Sequence, residues 1–135
     1  MKTNLISILL VVCFALGCTG TGAKQCYRAD AESKRVLRHC VLFKFNAETT
    51  PLKVKEIEAA FRALPSKISG IADFEWGTDV SPEKLSQGYT HCFFLTFPTE
   101  TQRDIYLTHP AHKEFGALLK GHLEKVLVVD YWAQR

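Results

Sequence analysis

Residues 89–97 constrain this chain more than any other stretch, because they read as a strand that is apolar on both faces. Alternation puts His91, Phe93, Leu95 and Phe97 on one side and Thr90, Cys92, Phe94 and Thr96 on the other. Such a strand has to be covered twice. Residues 37–45, rich in aromatic and branched side chains and ended by Asn46, predict a strand before it. Residues 71–78, entered through Gly70, and residues 125–132 predict two more. After the first strand Pro51 opens a helix whose Val54, Ile57, Phe61, Leu64 and Ile68 form one apolar stripe, with Pro65 set to interrupt or end it. After residue 97, Thr99 and Gln102 have the form of a capping box and start a short helix through Leu107. His109-Pro110 breaks it, and a further helix is expected to run to about Leu123.

The resulting order, β-α-β-β-α-β, is that of the α+β class. It is the ferredoxin-like split βαβ arrangement, in which helices cover one face of a four-stranded antiparallel sheet. The opposite face would carry Cys40, Leu42, Cys92, Phe94, Leu127, Val129 and Tyr131. That patch is too apolar to leave in water, and the plainest cover is a second copy. A two-fold symmetric homodimer, sheet against sheet, is therefore expected: a dimeric α+β barrel.

At 135 residues the chain has room for one core. Its first residues do not belong to that core. Lys2 precedes an apolar run over residues 5–16, which is too short to span a bilayer comfortably and fits a signal peptide. The run ends in Leu16-Gly17-Cys18, the form of a lipobox, so residues 1–18 are expected to direct export and Cys18 to carry the lipid that anchors a bacterial lipoprotein to its membrane. The alternative is cleavage after Gly17 or near Ala23 and a soluble secreted protein. Residues 19–35, without apolar periodicity, read as a tether, and residues 36–135 as the domain. A formal charge of +3 with both signs interspersed gives no nucleic-acid footprint.

Chemistry is expected from the five histidines and one tyrosine. His39 and His91 fall on the helix-facing side of two neighbouring strands and are expected to line one cavity, although a lone strand histidine is more often a hydrogen-bonded core residue. Tyr106 ends one helix and His112 starts the next, so the reversal at Pro110 can bring phenol and imidazole to one opening. There the phenol would donate to a carbonyl and the imidazole would accept a proton. The bland alternative is that His109 caps the helix and Tyr106 is merely half-buried. Neither HExxH nor paired-cysteine spacing occurs, and Cys26, Cys40 and Cys92 are an odd set without CxxC, so no metal and no cofactor is expected.

These residues resemble those of the stress-responsive A/B barrel (Dabb) family, and of a plant polyketide cyclase within it. The resemblance covers residues 38–131. It runs through His39, Phe43-Lys44-Phe45, Trp76-Gly77, Gly88-Tyr89-Thr90-His91, Tyr106, His109-Pro110-Ala111-His112, Phe115-Gly116 and Asp130-Tyr131. It implies a dimeric barrel with a pocket between sheet and helices in each subunit. It also implies that Tyr106 and His112 match a catalytic pair, with the histidine as base and the tyrosine holding a polyketide for aldol closure. His39 and His91 match pocket histidines, and Val41, Phe43, Phe74, Phe93, Phe115, Gly116, Val126 and Val128 match wall positions. Phe61 replaces a pocket tyrosine, Glu58 a phenylalanine, Arg62 a valine and Leu123 a tryptophan, which implies a different cavity floor and a different ligand. The HPAH segment also occurs in bacterial members without an assigned reaction, so the resemblance is compatible with a noncatalytic stress or binding module. Related dimeric barrels further include heme- or quinol-directed monooxygenases.

Overall fold

The computed structural model describes residues 35–134; the leader, Cys18, Cys26 and nearly all of the tether lie outside the described residues. Four strands, β1 (Leu37–Phe45), β2 (Asp73–Thr78), β3 (His91–Phe97) and β4 (Leu123–Trp132), form one sheet in the order β2-β3-β1-β4. Every neighbouring pair is antiparallel. The helices are α1 (Pro51–Arg62), α2 (Leu64–Lys67), α3 (Glu100–Thr108) and α4 (Pro110–Leu118). This is the ferredoxin-like α+β order.

Local chemistry sets the helix boundaries. Thr50 caps α1 by accepting from the Lys53 amide, and Thr99 caps α3 by accepting from the Gln102 amide. Proline sits in the first turn of α1, α2 and α4, where a missing N–H costs nothing. Pro65 lies in the first turn of the separate helix α2, which starts at Leu64 after the chain leaves α1 at Ala63. The last helix is shorter than its sequence implies, ending at Leu118 rather than near Leu123. Gly121, at φ +79°, turns the chain there, and Asn46 fastens the turn by donating from Nδ2 to the Gly121 carbonyl at 2.6 Å.

The stripe of α1 and α2 meets the sheet as expected: Ile57, Phe61, Leu64 and Ile68 are all buried. They pack against Leu37, Val41, Phe43, Phe93, Leu95 and Phe97. Phe61 is the centre of this core, stacked on Phe93 with centroids 4.1 Å apart and against Phe115 at 4.7 Å.

The register fixes which side chains share a face. His39 stands opposite Leu95 on β3 and Asp130 on β4, while His91 stands opposite Phe43. On the far face lie Cys40, Leu42, Cys92 and Phe94, half-buried, beside Leu127, Val129 and Tyr131, each 43–45% exposed. No helix of this chain covers that face among the described residues.

Candidate active site

Between β1, β4 and the two later helices lies a cavity of about 280 Å³. Its lining is apolar along Val41, Phe43, Phe61, Phe115, Leu119, Val126 and Val128. Polar groups come from His39, Tyr106, His112 and Asp130. Two of its lining residues, Val126 and Val128 on the edge strand β4, remain half-exposed. A small concave site with a few convergent polar groups in apolar walls is the usual form of a small-molecule pocket.

The break between α3 and α4 builds the reactive end. His109 caps α4, its Nδ1 accepting from the Ala111 amide at 3.1 Å, and its own extended backbone swings the chain round Pro110. His112 then returns to Tyr106, the ring centroids 4.4 Å apart. The Nδ1–H of His112 donates to the Leu107 carbonyl at 3.2 Å. A carbonyl can only accept, so Nδ1 carries the proton and Nε2 keeps its lone pair. Burial lowers the pKa of His112 below the usual histidine value. The Leu107 carbonyl opposes that shift and the nearby His39 adds to it. At neutral pH His112 is thus an uncharged base.

Tyr106 is 1% exposed, and burial drives its pKa well above the ordinary tyrosine range. Its phenol is a donor at any working pH. Among the described residues its hydroxyl has no hydrogen-bond partner, yet it is not a sealed, unsatisfied polar atom. It therefore opens onto the cavity it lines. Beside it, the buried His39 meets Tyr106 edge to face at 5.6 Å, and its Nδ1–H donates to Asp130 Oδ1 at 2.6 Å. The other carboxylate oxygen accepts from Arg103 of α3. Asp130 thereby ties β4 to both β1 and α3 and fixes the orientation of the second imidazole.

Not every residue expected at the cavity is there. His39, Val41, Phe43, Phe61, Tyr106, His112, Phe115, Gly116, Val126 and Val128 line it, whereas Phe74, His91 and Phe93 do not. Phe61 stands between the cavity and the other two phenylalanines, stacked on Phe93 and 5.8 Å from Phe74. His91 lies four residues from Leu95, the partner of His39, hence roughly 13 Å along the sheet. Its Nε2 pairs with Glu58 at 2.9 Å and its Nδ1 with the Thr90 hydroxyl at 2.8 Å. The two strand histidines therefore share a face without sharing a cavity.

Arg103 and Asp130 were missed in the sequence. One signal was available: Asp130 continues the face of Val126 and Val128, and a carboxylate on an otherwise apolar strand face needs a buried partner. Glu58 and Arg62, which distinguish this chain from the cyclase pattern, do not reach the cavity. Glu58 holds His91, and Arg62 lies over the Trp76 ring at 5.7 Å. Among the described residues no group of three or more side chains is disposed to hold a metal ion.

Comparison with known proteins agrees with this architecture. The family model described as the stress responsive A/B barrel domain matches residues 37–133. The stress-response A/B barrel domain-containing protein HS1 of Arabidopsis thaliana is 41% identical over 100 residues, which cover 74% of this chain and 92% of that protein. Olivetolic acid cyclase of Cannabis sativa is 35% identical over 96 residues, covering 70% and 94%. A crystal structure from Bacteroides fragilis, described as a dimeric protein of unknown function with a ferredoxin-like fold, superposes with a TM-score of 0.59 at 28% identity. The match covers 71% of this chain and 94% of that one. On the family match, the sequence identities and the shared fold, this chain belongs to the stress-responsive A/B barrel family.

Proposed function

We propose that this protein binds a small carbonyl compound in the cavity beside α3 and α4 and performs acid–base chemistry on it, in the manner of a polyketide cyclase. One observation carries the reading: the free Nε2 of His112 and the unpartnered hydroxyl of Tyr106 meet in an apolar cavity. An uncharged imidazole removes a proton from the carbon beside a carbonyl, and the phenol donates to the carbonyl oxygen as negative charge develops there. The resulting enolate carbon attacks a second carbonyl of the same molecule, and the proton held on His112 returns to the new alkoxide. Olivetolic acid cyclase is the relative whose name describes such a ring closure.

The apolar sheet face is covered by a second copy, and the dimeric relative from Bacteroides fragilis supports that arrangement. Export and anchoring through Cys18 complete the proposal. Native mass spectrometry of the protein purified gently from its own host tests the pocket and the dimer together. A dimer carrying a discrete organic mass supports the reading, and a stable monomer overturns the sheet-to-sheet assembly. Labelling with a fatty-acid probe that is lost in Cys18→Ser tests the anchor.

A further inference from the structure

The rim of the cavity carries a charge imbalance that the acid–base chemistry does not use. Gly116 on α4 and Val126 and Val128 on β4 line the cavity and are also exposed, so they stand where it meets solvent. Lys113 comes three residues before Gly116 and Lys120 four after it, which sets both on the Gly116 side of α4 and of the turn that ends it. Both lysines are exposed, and among the described residues neither has an ion-pair partner. The two carboxylates that alternate with Val126 and Val128 along β4 are already engaged: Glu124 accepts from Lys44 at 2.8 Å, and Asp130 accepts from His39 and Arg103. Glu114, two residues from Gly116, points away from it. The rim is left with two positive charges and nothing to pair them.

Gly116 adds space between them. It lies inside a helix, where no left-handed turn calls for glycine, and a methyl group there would meet nothing within 4 Å. Neither backbone nor packing requires a residue that weakens a helix interior. Its effect is to leave a notch in the rim, flanked by Lys113 and Lys120. One helical turn, roughly 6 Å, separates that notch from His112, and Phe115, Leu119, Val126 and Val128 supply apolar walls beside it. This rim lies on the helix-covered side of the sheet, so it stays open when a second copy covers the opposite face.

We infer that the cavity selects an oxo acid: a carbonyl compound whose ketone lies against Tyr106 and His112 and whose carboxylate sits in the Gly116 notch between Lys113 and Lys120. The inference rests on the reading of the cavity as a carbonyl site and adds the anionic end of its ligand. At the rim the carboxylate keeps part of its hydration, so no charge is buried unpaired. The same exposure limits the gain, because exposed ion pairs are weak and screened by salt. The lysines therefore set preference and orientation, while the apolar walls supply most of the affinity.

Calorimetric titration of the full-length chain tests this with 4-acetylbenzoate, whose ring sets a carboxylate opposite the ketone, and with 4-acetylbenzamide, an uncharged counterpart of the same shape. The wild type is expected to bind the acid about three- to tenfold more tightly, the size that two exposed ion pairs give. That preference should shrink as salt is raised. In Lys113→Gln/Lys120→Gln the two ligands should bind alike, in Lys113→Glu/Lys120→Glu the amide should bind more tightly, and Lys113→Arg/Lys120→Arg should keep the preference for the acid. Circular dichroism of each variant separates a lost preference from a lost fold. Equal affinity of the wild type for the two ligands, or a preference for the acid that survives in the glutamine variant, would overturn the inference and leave the carbonyl site standing. Failure of the wild type to bind either ligand would overturn the carbonyl reading and the inference with it.

Discussion

The imidazole of His112 and the phenol of Tyr106 lie ring to ring at 4.4 Å although a helix break separates them in sequence, and the Leu107 carbonyl holds the imidazole in one tautomer. Burial lowers the pKa of His112 in the folded protein, so the unfolded chain binds more protons as pH falls. The associated stability is present above the unfolded value of about 6.5 and is lost as pH falls through the lower folded value. The urea midpoint should therefore fall on acidification, and His112→Gln should flatten that dependence. NMR titration should place His112 below a free histidine, with the proton on Nδ1.

Asp130 joins His39 to Arg103, and its side chain is 27% exposed. Replacing it by alanine leaves the buried Nδ1–H of His39 without its acceptor. The expected cost is about 1–3 kcal/mol, read as a lower urea midpoint at unchanged m-value. Asp130→Asn, which can still accept from Nδ1–H, should lose less.

Phe61 is both a wall of the cavity and the centre of the aromatic core, in contact with Phe43, Phe74, Phe93 and Phe115. Phe61→Ala should destabilise the domain by about 3–5 kcal/mol. It should also join the cavity to the space beside Phe93 and Phe74, so that a bulkier apolar probe gains affinity in the variant relative to wild type. Calorimetric titration of both proteins checks this.

The uncovered sheet face makes the assembly testable without any ligand. A carboxylate at Val129, in the middle of the face with Leu127 and Tyr131 beside it, would be buried unpaired in a sheet-to-sheet dimer. Sedimentation should show Val129→Asp as a folded monomer, with the exposed Leu52→Asp on α1 as a dimeric control.

Much of this structure was legible because its determinants are local. Pro51, Thr99 and Pro110 mark helix starts wherever the rest of the chain goes, and the alternation of residues 37–45 and 91–97 assigns each side chain a face. Tyr106 and His112 could be placed together because one short break joins their helices. What the sequence left open depends on distance along a shared face. His39 and His91 point the same way, but only the pairing of Phe43 with His91 shows that they serve opposite ends of the sheet. Phe93 and Phe74 were expected in the cavity wall, and the stacking of Phe61 in front of them is a matter of packing that no periodicity records. Asp130, although part of the family match, carried no assigned role because its partners, His39 and Arg103, come from two distant elements.

The central claim is that His112 acts as a base and Tyr106 as a donor toward a carbonyl compound, and proton exchange measures it most directly. An aryl methyl ketone small enough for the cavity would be incubated with the protein in D₂O, and deuterium entry beside the carbonyl followed by NMR. The account predicts exchange above the buffer rate in the wild type, reduced about 10²-fold or more in His112→Ala and about 10²–10³-fold in Tyr106→Phe, with both variants folded. Exchange at the buffer rate in the wild type, or exchange unchanged in both variants, would contradict it.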